Sequence, residues 1–193
     1  MNVPMLDLTQ LSDAGNPWPV HDPLTAKDDC NVVKTVEAVH YFNGAQLSAR
    51  QARLAAHELS GPTGVNLAQA VFESQKMELG VDFFRANPRP IADLRAFCYA
   101  GQYTGLFVDY GYLNKVGFIT GDKHYTGIHC VGVWGWRRSK NGILVWDHDP
   151  LFDGRRPAIP LGRQHVSLAI LQSAAEAYAG AGFWKGWSVK IPL

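Results

Sequence analysis

The stretch GIHCVGVWGWRRSKNGILVWDHDP, residues 127–150, decides the fold class of this 193-residue chain. Two runs rich in β-branched and aromatic residues flank a polar segment that ends in Asn141 and Gly142. Two-residue hairpin turns prefer the dipeptide Asn-Gly because both residues tolerate positive φ. The stretch therefore predicts two antiparallel neighbouring strands joined by a hairpin with a polar tip.

Further strands and helices are predicted on both sides of this hairpin. Residues 104–110 form another β-rich run, and residues 183–187 form a closing strand or tail. Apolar spacing, helix-forming composition and capping residues predict helices over residues 32–42, 48–59, 66–79, 91–99 and 168–179. Helices that come mainly first, followed by an antiparallel sheet, predict the α+β fold class.

The N-terminal segment differs in composition from the rest of the chain. Residues 1–27 hold four prolines and several other turn-forming residues, so we expect a Pro-rich extended arm. Residues 28–193 contain no internal repeat, low-complexity run or linker. A chain of this length buries roughly 70% of the surface that it exposes when unfolded. We therefore predict a single domain over residues 28–193.

Charge and hydropathy exclude several classes of partner. The chain carries 18 Lys and Arg against 17 Asp and Glu, a net charge of +1, so no strong field attracts a polyanion. No apolar run reaches the roughly 18 residues of a membrane span. The first residues lack the basic and then apolar pattern of a signal peptide. We expect a soluble protein without a signal peptide, with no nucleic-acid and no membrane partner.

The chain has three cysteines, Cys30, Cys98 and Cys130. An odd and scattered set fits neither a disulfide framework nor a zinc ribbon, so the thiols stay reduced or one of them serves chemistry. Cys98 is expected in the core, on a helix. Cys130 adjoins His129 on a strand, so its side chain points to the opposite face, where a core position is also expected.

Cys30 is the thiol whose surroundings favour chemistry. It lies within residues 28–31, Asp-Asp-Cys-Asn, at the start of the first predicted helix. The positive potential of a helix N-terminus lowers the pKa of a thiol, and a nearby imidazole stabilises the thiolate further. His129 is the candidate imidazole, and the next strand carries Asp147 and Asp149. These residues fit the roles of nucleophile, base and orienting carboxylate.

Metal binding is an alternative use of the same region. His124, His129, His148 and the two aspartates, Asp147 and Asp149, are residue types that bind zinc. On a strand, however, His148 points away from both aspartates, which disfavours a single cluster. We therefore expect neither a metal nor a cofactor.

The tryptophans near the hairpin also allow two interpretations. Trp134 and Trp136 are expected to share one strand face, where they could form an aromatic platform for a sugar or a peptide. Large aromatic residues in a sheet belong to the core more often than to a ligand site. We therefore favour a core role for both.

Four segments together resemble the papain-like cysteine peptidases, particularly the bacteriocin-leader-processing type and small relatives encoded by tailed phages of actinobacteria. The segments are Asp29 with Cys30 at a helix start, VDYG over residues 108–111, GIHCVGV over residues 127–133 and VWDHDP over residues 145–150. The similarity spans residues 28–165. The resemblance implies a papain-like fold, with N-terminal helices packed on a C-terminal antiparallel sheet.

The same resemblance implies a role for each candidate site residue. Cys30 would be the nucleophile and His129 the general base. Asp149 precedes a proline, as the orienting acid does in the family, and Asp147 on the same strand face is the alternative acid. No cofactor is implied.

Two departures from the family pattern concern the oxyanion. Asn31 follows the cysteine where the family has glycine, and no glutamine lies between Gln10 and Cys30 to donate to the developing charge. Loss of one such donor costs roughly a hundredfold or more in rate. The Cys30 backbone N–H could supply one donor, and Thr25, Lys27 or the Asn31 amide another.

The residues and the resemblance together support two functions. The first is a phage-encoded cysteine peptidase or amidase that cleaves a peptide or isopeptide bond, in host cell-wall stem peptides or in a virion protein during maturation. Its partners would be peptide or peptidoglycan stem-peptide substrates and other virion proteins, and it would occur in the host cytoplasm during synthesis and with the virion. The second is a non-catalytic virion protein, associated with the tail or capsid, that keeps the peptidase-like fold. The two departures favour the second function, and the retained Cys, His and Asp disfavour it.

Overall fold

A computed structural model describes residues 34, 35, 38, 39, 42, 80–83, 87–118, 124, 126–140, 142–148 and 163–190. The chain divides into two compact units, Met1–Val81 with Ile191–Leu193 and Asp82–Lys190. The expected arm over residues 1–27 and the helices expected over residues 48–59 and 66–79 lie outside the described residues. A single domain over residues 28–193 stays a prediction.

Five described positions of the first unit belong to a helix. Lys34, Thr35, Ala38, Val39 and Phe42 are all helical, and the first four are fully buried. Their spacing of three and four residues places them on one helix face. The helix predicted over residues 32–42 is confirmed at these positions.

The second unit is built on a largely antiparallel sheet. Its strands are β1 (Gly80–Phe83), which begins in the first unit, β2 (Arg89–Pro90), β3 (Thr104–Asp109), β4 (Ile128–Ser139), β5 (Gly142–His148), β6 (Arg163–Ser167) and β7 (Phe183–Lys190). The strand order is β1-β7-β3-β4-β5-β6, and β2 also pairs with β7. Every pair with a described register is antiparallel. The last strand of the chain therefore lies inside the sheet, beside β3.

Helices α1 (Ile91–Tyr99), α2 (Tyr110–Lys115) and α3 (Leu168–Ala179) accompany this sheet. The bounds of α1 and α3 are those predicted from the sequence. The sequence did not predict α2, and the strand expected over residues 104–110 ends one residue early, at Asp109. The Asp109 carboxylate accepts a hydrogen bond from the Tyr112 N–H at 2.8 Å and so caps α2. No helix in the described part of the chain has the length and apolar character that crossing a bilayer requires.

Strands β4 and β5 form the predicted hairpin, but the ladder contains a bulge. Its register shifts by one residue between Trp134 and Arg137. Gly135, inside the shift, has a φ of 60°, a left-handed conformation that suits glycine. Trp134 is 3% exposed, whereas Trp136 is 45% exposed. The expectation that these two tryptophans share a face and a core role is wrong for Trp136, because the inserted residue breaks the alternation.

The core of the second unit lies between the helices and one face of the sheet. Alternate residues of β3 and β4 pack there against α3; they are Leu106, Val108, Val131 and Val133 on the strands and Leu168, Leu171, Ala174 and Ala175 on the helix. The described residues therefore have the predicted α+β class. The expected order, helices first and sheet second, differs from the described order at β1 and β2, which precede α1, whereas the final helix and the closing strand were expected.

Candidate functional site

His129 lies near the beginning of β4, where this strand runs beside the end of β3. The ladder pairs His129 with Val108. Beyond the ladder, the Tyr110 N–H donates to the Gly127 carbonyl at 3.1 Å. The His129 side chain is 3% exposed and, by strand alternation, faces the core side of the sheet. The pairing of β3 with β4 therefore fixes the backbone of β4 both before and after His129 along the chain.

The ring of Tyr110 packs against the imidazole of His129. The ring centroids are 4.9 Å apart and the planes meet at 75°, an edge-to-face arrangement. Tyr110 is fully buried, so it cannot move aside without disturbing the core. Edge-to-face packing is favoured by the ring quadrupoles, and here it restricts the plane of the imidazole.

The VDYG segment, residues 108–111, forms the strand-to-helix junction that carries this tyrosine. Asp109 ends β3 and caps α2, and Tyr110 is the first residue of α2. A Cβ at Gly111 would lie 3.2 Å from the Asp109 Oδ1, close enough to crowd the capping carboxylate. From the sequence, this segment is predicted only as part of the family resemblance. An aspartate at a strand end is a helix-capping signal that could have revealed the junction.

The backbone of β5 fixes how far Asp147 lies from His129. Asp147 is paired with Val133, which is four residues beyond His129 on β4. At about 3.3 Å per residue, this separation is about 13 Å along the strand. An imidazole and a carboxylate that hydrogen-bond directly need a much shorter backbone separation.

The other members of the predicted triad, Cys30 and Asp149, lie outside the described residues. The same holds for Asn31 and the candidate oxyanion donors Thr25 and Lys27. The Cys-His-Asp assignment therefore stays a prediction, of which the structure describes His129 and its surroundings.

The two described cysteines occupy core positions, as expected. Cys98 on α1 and Cys130 on β4 are both buried. The pKa of the Cys98 thiol is raised to about 12. Burial causes this increase, and a hydrogen bond with the backbone offsets a small part of it. Cys98 therefore stays protonated at neutral pH and is a poor nucleophile.

A buried stack of aromatic rings lies in the same unit. The Tyr103 ring stacks on Trp134 and Trp187, with centroid separations of 5.5 and 5.9 Å. All three side chains are buried, so the core role expected for Trp134 is confirmed. Among the described residues, no three His, Cys, Asp or Glu side chains come together as metal ligands, and His124 is exposed.

One histidine outside the predicted triad has a shifted pKa. His165 on β6 is partly buried, and this burial, together with the positive charge of Arg137, lowers its pKa below the ordinary 6.5. Its neutral form is therefore favoured near neutral pH.

No family model matches this chain, and no curated protein matches it.

Proposed function

We propose that the protein is a papain-like cysteine peptidase or amidase that uses Cys30, His129 and Asp149. The observation that carries this proposal is the setting of His129 on the first strand of a hairpin, with Tyr110 packed against its ring. A general base must be held in one orientation to transfer a proton efficiently. The sequence resemblance and the position of Cys30 before a helix add support.

The register of the hairpin favours Asp149 over Asp147 as the orienting acid in this proposal. Strand β5 runs antiparallel to β4, so later residues of this segment approach the β4 end that holds His129. Asp149 comes two residues after Asp147, which is paired four residues away from His129. If the chain continued along the same line after His148, Asp149 would come closer to His129 than Asp147, which supports Asp149 in this proposal.

The chemistry needs no cofactor. His129 takes the proton of the Cys30 thiol, and the thiolate sulfur attacks the carbonyl carbon of the scissile bond. The C–N bond then breaks as His129 protonates the leaving amine, which leaves a thioester on Cys30. Water, deprotonated by His129, hydrolyses the thioester and regenerates the thiol. Asp149 accepts a hydrogen bond from the imidazole and keeps it in the right tautomer.

The substrate class in this proposal is a peptide or isopeptide bond in host cell-wall stem peptides or in a virion protein. A phage origin, synthesis in the host cytoplasm and association with other virion proteins belong to the same proposal. The support for this setting is the sequence resemblance. The small net charge of +1 agrees with a peptide substrate rather than a nucleic acid.

A second candidate is a non-catalytic virion protein, associated with the tail or capsid, that keeps a peptidase-like fold. The 3% exposure of His129 favours this candidate, because a substrate must reach a catalytic base. The sequence departures at Asn31 and upstream of Cys30 point the same way.

The deciding experiment measures the rate of Cys30 alkylation by iodoacetamide between pH 5 and pH 9, with peptide-mapped mass spectrometry. In the peptidase, Cys30 is labelled rapidly well below pH 8, and His129→Ala abolishes this low-pH labelling. Cys98 and Cys130 are internal controls, because buried thiols stay unlabelled until the protein unfolds. Labelling of Cys30 only near pH 8.5, unchanged by His129→Ala, would instead support the non-catalytic virion protein.

The choice of acid is tested by the matched pair Asp149→Asn and Asp147→Asn. Only Asp149→Asn should slow hydrolysis of a labelled stem-peptide substrate. The rate should fall by about a hundredfold or more, because loss of the orienting carboxylate of a catalytic triad lowers kcat by factors of this order. Both variants should unfold at the same temperature as the parent. Equal losses in the two variants would contradict the assignment of Asp149.

A further inference from the structure

Strand β4 extends beyond its neighbour β3. The last pair between them is Val133 with Thr104, whereas β4 continues to Ser139. On its other side, this extension pairs with β5 up to the hairpin turn. For residues 135–138 the described structure records no backbone partner on the β3 side. These residues are at least partly exposed, so they form an open strand edge.

Two exposed aromatic rings lie beside this open edge. The Trp136 and Tyr99 rings are in contact, with centroids 4.5 Å apart, and remain 45% and 38% exposed. The bulge at Gly135 places Trp136 on the side of the sheet opposite to Trp134 and next to α1. A bulge that re-aims a side chain often accompanies a binding function.

The charges around these rings are positive. The Arg95 guanidinium lies over the Tyr99 ring, 5.1 Å from its centroid, and its Nε donates to the Tyr99 hydroxyl at 2.9 Å. Arg138 is exposed, and the described residues supply no ion-pair partner for it. The carboxylate on α1, Asp93, is already bonded to Arg89 at 2.8 Å. The guanidinium groups of Arg95 and Arg138 beside these rings therefore have N–H donors that can bind a further carboxylate.

We propose that the open edge of residues 135–138, with Tyr99, Arg95 and Arg138, binds an acidic peptide segment of a partner protein in extended conformation. The backbone groups of the edge select a peptide, because an added strand supplies matching N–H and C=O groups. The rings contact its apolar side chains, and the arginines bind its carboxylates. Neither Cys30 nor His129 takes part, so this inference is independent of the proposed peptidase activity.

The probe is a fluorescein-labelled nonapeptide of alternating Glu and Val, titrated with the full-length protein by fluorescence anisotropy. We expect saturable binding that Trp136→Ala and Arg138→Glu each weaken at least tenfold. The matched control is Lys115→Glu, which makes the same charge change at an exposed position on α2 and leaves the affinity unchanged. Circular dichroism checks that each variant is folded.

Two altered peptides test the mode of binding. A peptide with an N-methyl group on every residue has no N–H group for pairing along either edge, and it should lose binding at least tenfold. Replacing Glu by Lys should also abolish binding. Equal affinity for the N-methylated peptide, or for a single-stranded oligo-dT of the same charge, would overturn the proposal. The absence of peptide binding, with aggregation of Arg138→Glu, would show instead that the arginine protects the edge from self-association.

Discussion

The contact between Tyr110 and His129 is a single-residue determinant of how the candidate base is held. Replacing Tyr110 by Leu removes the ring and keeps an apolar side chain in the core. We expect the His129 imidazole resonances to lose the shift caused by the neighbouring ring, and the free energy of unfolding to fall by about 2 kcal/mol. Side-chain NMR of the histidines and urea unfolding measure the two effects.

The control for this prediction is Tyr110→Phe, which keeps the ring. Its His129 resonances should stay close to those of the parent protein. If Tyr110→Leu also left them unchanged, the edge-to-face contact would not orient the imidazole. Under the proposed peptidase function, Tyr110→Leu should lower kcat for peptide hydrolysis more than it changes KM, because Tyr110 would act through His129 without contacting the substrate.

The pKa of His165 gives a second prediction for a single residue. Its folded-state pKa lies below the unfolded value of 6.5, because of partial burial and then the charge of Arg137. Since the unfolded chain binds this proton more readily, His165 costs stability as the pH falls below 6.5. Arg137→Gln should raise the pKa of His165 in an NMR titration and reduce the loss of stability between pH 7 and pH 5.

The neighbouring arginine supplies the control for this titration. Arg138 lies on the opposite strand face from Arg137, and Arg138→Gln removes the same charge. It should leave the pKa of His165 almost unchanged. Equal shifts in both variants would mean that the general positive charge of the hairpin, rather than Arg137 itself, acts on His165.

At the scale of elements, the close packing of β3 and β7 depends on two glycines on the adjacent strands, Gly105 paired with Trp187 and Gly186 paired with Leu106. The Trp187 indole lies over Gly105, so an added Cβ at Gly105 would overlap the ring, and one at Gly186 would overlap the Gly105 carbonyl. Gly105→Ala should therefore destabilise the protein by about 1–3 kcal/mol. Urea unfolding measures this loss. Trp187→Phe in the Gly105→Ala background should recover part of it, and strictly additive losses would contradict the overlap.

The elements that the sequence predicted correctly are those with local signals. The hairpin follows from Asn141 and Gly142, and α1 and α3 follow from local helix-forming composition. Strands β1, β2 and β6 and helix α2 were missed because two to six residues carry too little periodicity to detect. The bulge was missed because an inserted residue changes the face of Trp136 without changing the composition of the strand.

The candidate site was predictable in part for the same reason. His129 was found from a local strand pattern. Its contact with Tyr110 depends on the pairing of β3 with β4 and on the capping of α2, which connect segments that are distant in sequence. The preference for Asp149 over Asp147 came from the proline that follows Asp149, and the register of the hairpin adds the position of the Asp147 backbone relative to His129.

At the scale of the whole molecule, the sheet of the second unit depends on the final strand of the chain. Strand β7 pairs with β3 and β2, and its side chains Trp184, Trp187 and Val189 are buried. The sequence alone predicts a closing strand or a tail for this segment. A tail can be removed at little cost, whereas removing an inner strand exposes the core and leaves the backbone groups of β3 without partners.

Truncation after Gly182 distinguishes these two cases. We expect the truncated protein to lose cooperative thermal unfolding and near-UV circular dichroism, because β3 loses a ladder and three large apolar side chains leave the core. A protein truncated after Lys190 keeps β7 and should unfold cooperatively. If the protein ending at Gly182 also unfolded cooperatively at the parent temperature, β7 would be a peripheral strand. Because β3 lies between β7 and β4, loss of β7 should also destabilise β4, the strand that holds His129.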